Sequence, residues 1–358
     1  MSLESLGWNA RLAAAAVSSL EEGLVPMRVA REDRDRYTVL EASGERSAVL
    51  AGRFRHGALA RTERPAVGDW VMVRAALDGL VTIVSLLPRS SAFLRKVAGE
   101  NTEAQVVAAN VETVFLVCGL DGDFNPRRIE RYVASAWESG AQPVVVLNKA
   151  DVAEDRDARL AETIAVCPGV DVLAISALEG RGLEALAPCL APGHTMALLG
   201  SSGVGKSTLV NALVGEERQA TGGIRPDDSR GRHTTTHRQL VPLPGGAWLL
   251  DTPGMRELQL WAEDDALDRT FPEVAALALE CRFRDCSHEA EPDCAVRAAL
   301  EAGTLERTRF AAWGKLQREL AHLASRQDAR ARSEKQAEWK AITVAMRTHP
   351  KAERRRRP

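Results

Sequence analysis

A nine-residue stretch from Gly200 to Thr208 constrains the fold more than any other part of the chain. It reads Gly-Ser-Ser-Gly-Val-Gly-Lys-Ser-Thr and matches in full the G-x-x-x-x-G-K-S/T pattern of a phosphate-binding loop. The apolar run at 196–199 predicts a buried strand before it, and the run at 208–214 predicts a helix after it. The glycines let successive backbone N–H groups turn towards an anion at the helix N-terminus. The stretch therefore predicts a polyphosphate site in an α/β domain.

The loop pattern also assigns roles to individual residues. Lys206 is predicted to reach the β- and γ-phosphates, and the Ser207 hydroxyl to ligate Mg²⁺. The rest of the loop is predicted to wrap its backbone around the phosphates: Gly200, Ser201, Ser202, Gly203, Val204, Gly205 and Thr208. The alternative is a glycine-rich turn that binds nothing, and the strand and helix on either side argue against it.

Upstream of this loop, apolar strands alternate with helices. Strand candidates occupy 108–117 and 143–147, and Asn125-Pro126 predicts the start of the helix between them. Fully apolar strands in such an alternation indicate a parallel sheet that is covered on both faces. Ligands of these sheets bind beyond the carboxyl ends of the strands.

A guanine-binding motif follows the second of these strands. The carboxylate of Asp151 can accept hydrogen bonds from N1–H and the exocyclic amine of guanine, and adenine lacks this donor pair, so Asp151 is predicted to select GTP over ATP. Lys149 can lay its methylene stem over the base, and Asn148 braces the loop. Downstream, the backbone of Ser176 and Ala177 is predicted to cap the guanine oxygen. Taken alone, the tetrapeptide at 148–151 is weak evidence, because these residues commonly occur together on protein surfaces.

The segment after the phosphate loop carries the remaining nucleotide contacts. Its first part, 221–232, is rich in Gly, Asp and Arg and lacks periodicity. Thr235 can add a second hydroxyl to Mg²⁺, Asp251 can hold the Mg²⁺ shell, and the Gly254 N–H can touch the γ-phosphate. A plain turn is the alternative for Asp-Thr-Pro-Gly at 251–254.

The residue that orients the attacking water is less clearly marked. Many GTPases place a glutamine just after the glycine of this turn, but Met255 stands there and cannot polarise water. His233 is the catalytic candidate, because a neutral imidazole can orient water. A structural histidine that bonds the loop is the alternative. Intrinsic hydrolysis is expected to be slow until a partner orders this segment.

A cluster of cysteines and one histidine lies further along the chain. Cys281, Cys286, His288 and Cys294 offer three thiolates and an imidazole, a closed tetrahedral set for structural Zn²⁺. Their clustering argues for metal rather than disulfides, with reduced buried cysteines as the alternative. A helix from Thr304 is predicted to pack on one apolar face, formed by Trp313, Leu316, Leu320 and Leu323.

The N-terminal part has a different pattern. After a poorly determined lead-in over residues 1–30, short alternating runs predict strands at 37–40, 48–51, 70–73 and 81–84, separated by turn signals that include Asp78-Gly79. Such strands indicate a small closed β-barrel of the oligonucleotide-binding (OB) type. Several basic residues in one connection can meet a phosphate backbone or be solvated loop charges: Arg53, Arg55, His56, Arg61 and Arg64.

Composition excludes some classes of protein. With 358 residues the chain can form two or three domains, and 45% hydrophobic and 27% charged residues are ordinary for soluble proteins. No apolar run approaches the roughly 18 residues of a spanning helix, and the N-terminus does not resemble a signal peptide, so we expect a cytoplasmic protein. Residues 347–358 hold six basic side chains and one Glu, which suits an anionic partner or a solvated end.

Together these motifs resemble those of translation-factor-type GTPases in a rotated order, because the guanine motifs precede the phosphate loop. The run Gly231-Arg-His-Thr-Thr-Thr236, the cysteine cluster and the N-terminal barrel are similar to the ribosome small-subunit-dependent GTPase A family (RsgA/YjeQ) over about residues 35–320. The resemblance implies a late-acting assembly factor that binds the small ribosomal subunit and hydrolyses GTP when docked. Where the family reads Glu-Pro-Gly-Cys, Asp293 replaces the glycine, which leaves the turn geometry open.

We therefore expect a multidomain α/β protein in three parts. A lead-in and OB-type β-barrel occupy 1–96, a circularly permuted P-loop GTPase core 97–265, and a zinc-binding helical domain with a basic tail 266–358. The expected ligands are GTP or GDP with Mg²⁺, and the expected partner is the small (30S) ribosomal subunit with its rRNA. We expect a monomer that does not bind membranes. The alternative is a nucleotide-gated RNA-binding scaffold with negligible turnover; Asp151 argues against an ATP-dependent enzyme.

Overall fold

A computed structural model describes residues 2–33, 36–52, 54, 61–75, 80–96, 104–215, 238–251, 264–318 and 320–321. The chain divides into two compact units, Met1–Gln259 and Leu260–Pro358. The first unit contains both the barrel and the nucleotide-binding core, and the second contains the cysteine cluster. The boundaries predicted near residues 96 and 265 stay predictions.

The lead-in is more ordered than its sequence indicated. A 3₁₀ helix spans Glu4–Leu6, and helix α1 spans Ala10–Glu21. The Asn9 side chain caps α1 by accepting a hydrogen bond from the Leu12 backbone N–H at 3.1 Å. On its inner face α1 buries Leu12 and Ala16.

Five strands close into the predicted barrel, and the first of them, which the sequence did not predict, begins within the lead-in. They are β1 (Val25–Asp33), β2 (Arg36–Glu41), β3 (Gly44–Leu50), β4 (Trp70–Ala75) and β5 (Val81–Leu86). The order is β1-β2-β3-β5-β4, and β4 pairs back to β1. Only β3 and β5 run parallel within this ring. Alternate residues such as Val71 and Val73 fill the interior, as the two-residue period of a strand requires.

A short hairpin separates the barrel from the nucleotide-binding core. Strand β6 (Ala92–Lys96) pairs antiparallel with β7 (Ala104–Ala109) in a sheet of its own. The sequence predicted one long strand over 108–117, but the structure ends β7 at Ala109 and starts β8 at Thr113. Asn110 lies between them with a φ of 51°, a left-handed conformation that asparagine tolerates and a strand does not.

The nucleotide-binding core is a parallel sheet with helices, as the apolar strands predicted. Its elements are β8 (Thr113–Gly119), α2 (Pro126–Ser139), β9 (Gln142–Asn148), α3 (Arg156–Val166), β10 (Asp171–Ala174), a 3₁₀ helix (Leu183–Leu190), β11 (Thr195–Leu199), α4 (Lys206–Val214), β12 (Gln239–Pro242) and β13 (Trp248–Asp251). The strand order is β10-β9-β8-β11-β13-β12, and all but β12 are parallel. Strand β11 therefore lies at the centre, with β8 and β13 on either side.

The core and the barrel share one sheet. Strand β12 pairs antiparallel with β1 through Arg31 and Gln239, so that eleven strands form a continuous sheet. Beside this junction the fully buried guanidinium of Arg28 donates to the carbonyl of Leu6 at 2.6 Å and to the Thr195 hydroxyl at 2.7 Å. Burial lowers the pKa of Arg28 to about 10, so it stays charged at neutral pH and requires these acceptors.

The second unit is helical in the part that the structure describes. It contains α5 (Asp264–Thr270), α6 (Pro272–Leu279), α7 (Ala295–Ala302) and α8 over 307–318, with 320–321 also helical. The predicted apolar face of α8 is confirmed for Trp313, Leu316 and Leu320, which are all buried; Leu323 lies outside the described residues. In the described part of the chain, no helix has both the length and the apolarity needed to cross a membrane.

Candidate nucleotide and metal sites

The phosphate loop joins the central strand to a helix, as predicted. It leaves the end of β11 and enters α4 at Lys206. Gly205 has a φ of 94°, and a Cβ there would lie 2.2 Å from the Asn148 Nδ2 atom. A Cβ on Gly200 would lie 2.2 Å from the Val117 carbonyl oxygen. Both positions therefore require glycine, because a side chain would push the loop away from the neighbouring strands.

The loop presents donors to an anion. Gly205 stands at the N-cap of α4 and has no side chain to cap it, and the N–H groups of a first helical turn are oriented to bind phosphate oxygens. The Lys206 ammonium folds over the loop and donates to the carbonyls of Gly200, at 2.8 Å, and Ser201. Ser207 lies in the first turn of the same helix, where a bound polyphosphate would bring its Mg²⁺.

Asn148 connects the phosphate loop to the guanine-binding loop. Its side chain is buried, its Nδ2 donates to the Val204 carbonyl at 2.9 Å, and its Oδ1 accepts from the Ala177 N–H at 2.9 Å. This side chain therefore links the loop that follows β10 to the loop that follows β11. These two contacts place the predicted base and phosphate contacts at one edge of the sheet.

Of the predicted base-binding residues, Asp151 has a buried polar atom without a partner in the described part of the chain, whereas the N–H groups of Ser176 and Ala177 already donate to Arg181 and Asn148. The Oδ1 atom of Asp151 is buried without a hydrogen-bond partner among the described residues, an arrangement that is costly unless a ligand donates to it. Ser176 is buried and pairs with Arg181 through reciprocal backbone hydrogen bonds of 2.9 and 3.1 Å. The loop that carries Ala177 is therefore closed and ordered.

Lys149 is held by a partner that the sequence did not indicate. Its Nζ lies 2.6 Å from the Oδ2 of Asp121, in the loop after β8. Partial burial opposes ionisation of Asp121, but hydrogen bonds from Lys149 and the Asp123 N–H prevail and hold the pKa of this carboxyl below its usual value. Tyr132 on α2 makes a second contact that the sequence did not indicate, with its hydroxyl 3.5 Å from the Ser201 hydroxyl.

The contacts predicted after the phosphate loop lie only partly within the described residues. Asp251 ends β13, whose Leu250 pairs with Ala197 of β11, so its backbone lies beside the strand that leads into the phosphate loop. Thr235, Gly254 and the catalytic candidate His233 lie outside the described residues. So do the basic tail and most of the basic connection in the barrel, of which the exposed Arg64 is described.

The four predicted metal ligands converge in the second unit. The ligand atoms of Cys281, Cys286, His288 and Cys294 all lie within 4.8 Å of one another. The Cys281 and Cys294 sulfurs are 3.9 Å apart, and they lie 3.6 and 3.5 Å from the His288 Nδ1 atom. A tetrahedral Zn²⁺ with bonds of about 2.3 Å to sulfur and 2.0 Å to nitrogen holds its ligands about 3.5–3.8 Å apart. These three separations therefore fit a Cys₃His zinc site.

The loop around this cluster is preorganised. The Glu291 carboxylate accepts hydrogen bonds from the Ser287 side chain and backbone and from two further N–H groups, which lower its pKa to about 2. Burial lowers the pKa of His288, which favours the neutral imidazole that binds metal. Asp293 has a φ of 55°, so it adopts the left-handed conformation that the family's glycine would supply.

Known proteins resemble this chain along almost its whole length. The model of the RsgA GTPase family matches residues 86–261. The small ribosomal subunit biogenesis GTPase RsgA of Opitutus terrae is 50% identical and covers 99% of this chain and 100% of the relative. The protein of the same name from Xylella fastidiosa is 48% identical, over 90% of this chain and 95% of the relative.

Solved structures agree with these sequence relatives. The crystal structure of YjeQ from Thermotoga maritima matches with a TM-score of 0.64 and 27% identity, and covers 83% of this chain and 99% of that one. YloQ, described as a circularly permuted GTPase, shares the fold with a TM-score of 0.61 at 23% identity, over 84% of this chain and 96% of that one. With half of its residues shared with a relative over 99% of this chain and 100% of that relative, and with the family model matched over residues 86–261, the chain belongs to the RsgA GTPase family.

Proposed function

We propose that this protein is a GTPase that acts in the biogenesis of the small ribosomal subunit. The observation that carries the proposal is the buried Asn148, which holds the phosphate loop and the guanine-binding loop together through two hydrogen bonds. The names of relatives up to 50% identical support the same activity and the same target.

GTP binds across the carboxyl ends of β9, β11 and β13 in this proposal. The backbone from Gly200 to Thr208 surrounds the phosphates, and Lys206 exchanges its loop carbonyls for β- and γ-phosphate oxygens. Asp151 accepts from the guanine N1–H and amine, which supplies its buried oxygen with donors. The Lys149 stem covers the base. The Ser176 N–H donates to the Arg181 carbonyl and the Ala177 N–H to Asn148 Oδ1, so these two groups do not cap the guanine oxygen.

Hydrolysis requires groups around the γ-phosphate. Ser207, Thr235 and Asp251 would hold Mg²⁺, which would neutralise developing phosphate charge, and the Gly254 N–H would contact the γ-phosphate. His233 orients the attacking water, since Met255 cannot. His233→Ala is therefore expected to reduce phosphate release strongly while GDP affinity is unchanged; full activity of the variant would remove His233 from the mechanism.

The metal cluster has a structural role in this proposal. Cys281, Cys286, His288 and Cys294 hold one Zn²⁺, and with four protein ligands no position is open to substrate. The partner is the small ribosomal subunit. The OB-type barrel and the basic tail contact its rRNA, and the docked subunit stimulates hydrolysis. The protein acts as a cytoplasmic monomer.

Nucleotide selectivity and ribosome dependence test the proposal directly. Calorimetry should show binding of GDP and a GTP analogue, and no comparable binding of the adenine counterparts. Phosphate release should rise when purified small subunits are added and not when large subunits are added. Equal affinity for adenine nucleotides would overturn the assignment of the base site. Tight guanine binding with no turnover on small subunits would instead support a nucleotide-gated scaffold.

A further inference from the structure

We propose that Asp121 is a positioning residue of the guanine site, which fixes the Lys149 side chain before nucleotide binds. This inference rests on the proposed base-binding role of Lys149. It assigns a function to a loop that contains none of the sequence motifs. The loop spans 119–124, between β8 and α2.

The contact between the two side chains is short and oriented. The Lys149 Nζ donates to Asp121 Oδ2 at 2.6 Å, while Asp121 Oδ1 accepts from the Asp123 N–H at 3.1 Å. Because each carboxylate oxygen has its own donor, the carboxylate has little freedom to rotate. The side chains are 26% and 33% exposed, so water screens the pair only in part.

The loop that carries Asp121 is itself tied to the guanine motif. The Leu120 N–H donates to the Asn148 carbonyl at 2.8 Å, which links the ends of β8 and β9. From α3, Arg159 donates to the Asp121 carbonyl at 3.1 Å and covers the Phe124 ring at 5.3 Å. The carboxylate therefore stands on a backbone that is fixed from two neighbouring elements.

Lys149 needs such a partner because of its own conformation. It has a φ of 66°, a left-handed conformation that directs its side chain away from the path of β9. A lysine side chain has four rotatable bonds, and one that packs on a base loses most of that freedom on binding. Holding the ammonium at Asp121 removes this freedom beforehand, so that the methylene stem is already extended when guanine arrives.

A second position reports on the same contact without a change of charge. A Cβ on Gly119 would lie 2.6 Å from Asp121 Oδ1, and Gly119 does not have a positive φ. Gly119→Ala therefore fits the backbone but displaces the carboxylate from its place. Asp157 supplies a matched control, because it is an exposed aspartate whose ion-pair partner, Arg156, is also exposed.

The test is a double-mutant cycle on the affinity for fluorescent GDP, with the full-length protein. Asp121→Asn and Gly119→Ala should each weaken binding about twofold to fivefold, as expected for a partly exposed ion pair, and Asp157→Asn should not. Lys149→Met keeps the stem but removes the ammonium, so adding Asp121→Asn to it should cause no further loss.

The outcomes separate this inference from the proposed function. Wild-type affinity in Asp121→Asn, or a full additive loss in the double variant, would show that Asp121 does not act through Lys149. Thermal unfolding of each variant checks the fold, and if Asp121→Asn does not fold, Gly119→Ala in the Lys149→Met background decides in its place. Failure of the wild type to bind GDP would instead overturn the proposed function.

Discussion

Replacement of Asn148 by alanine is the sharpest test of the nucleotide site. The variant loses two buried hydrogen bonds and leaves the Val204 carbonyl and the Ala177 N–H without their partner. Each net hydrogen bond contributes about 1 kcal/mol, and each buried group left unpaired costs about 1–3 kcal/mol when water cannot reach it. We expect about 2–3 kcal/mol to be lost from the arrangement that binds nucleotide, equivalent to a GDP affinity lower by about 30-fold to 150-fold.

The assay is GDP titration with a fluorescent analogue, accompanied by thermal unfolding. Ser91→Ala is the matched control, because the buried Ser91 hydroxyl donates to the Val111 carbonyl and accepts from the Val111 N–H, at 2.8 and 2.7 Å. It removes the same number of hydrogen bonds from the same unit, so it should lower stability but not affinity. If Asn148→Ala bound GDP within threefold of wild type, and the GDP affinity of Ser91→Ala were also unchanged, the reasoning that Asn148 assembles the site would be refuted.

Three further predictions concern the metal cluster and a buried thiol. Cys286→Ser should lose zinc and destabilise the second unit, which metal analysis and thermal unfolding will measure; retention of one zinc per chain would contradict the ligand set. Asp293→Gly should be tolerated or should stabilise by up to about 1 kcal/mol, whereas Asp293→Val should destabilise, because a β-branched residue is strained at this φ; equal melting temperatures would contradict this. Burial raises the pKa of Cys118 to about 12, so at pH 8 it is a thiol in the folded protein, and mass spectrometry should detect its alkylation only after unfolding.

Motifs with strict chemistry could be located from the sequence alone. The phosphate loop requires glycine at Gly200 and Gly205, because neighbouring atoms occupy the space of a Cβ, and such a requirement is visible as a pattern. The predicted metal ligands can also be recognised in the sequence, because few side chains bind Zn²⁺. The sequence predicted that Asn148 braces its loop, but its partners, Val204 and Ala177, could be identified only in the structure.

Other features depend on contacts between distant parts of the chain. Asp121 is one aspartate in a polar loop, and nothing in its spacing points to Lys149, 28 residues further on. Arg28 occupies a strand position that local alternation cannot identify as buried, because its acceptors come from segments up to 167 residues away. Helix α1 did leave a local signal in the Asn9 cap, but its alanine-rich sequence lacks strong apolar periodicity.

The junction between β12 and β1 determines how this protein can be dissected. A truncation that removed the barrel would leave β12 as an exposed sheet edge, a template for association between molecules. It would also take away the Ser5 carbonyl that accepts from the Trp248 indole at 2.8 Å, and the guanidinium that bonds to Thr195. The barrel is therefore not a detachable module, and nucleotide binding is best measured on a chain that keeps its first residues.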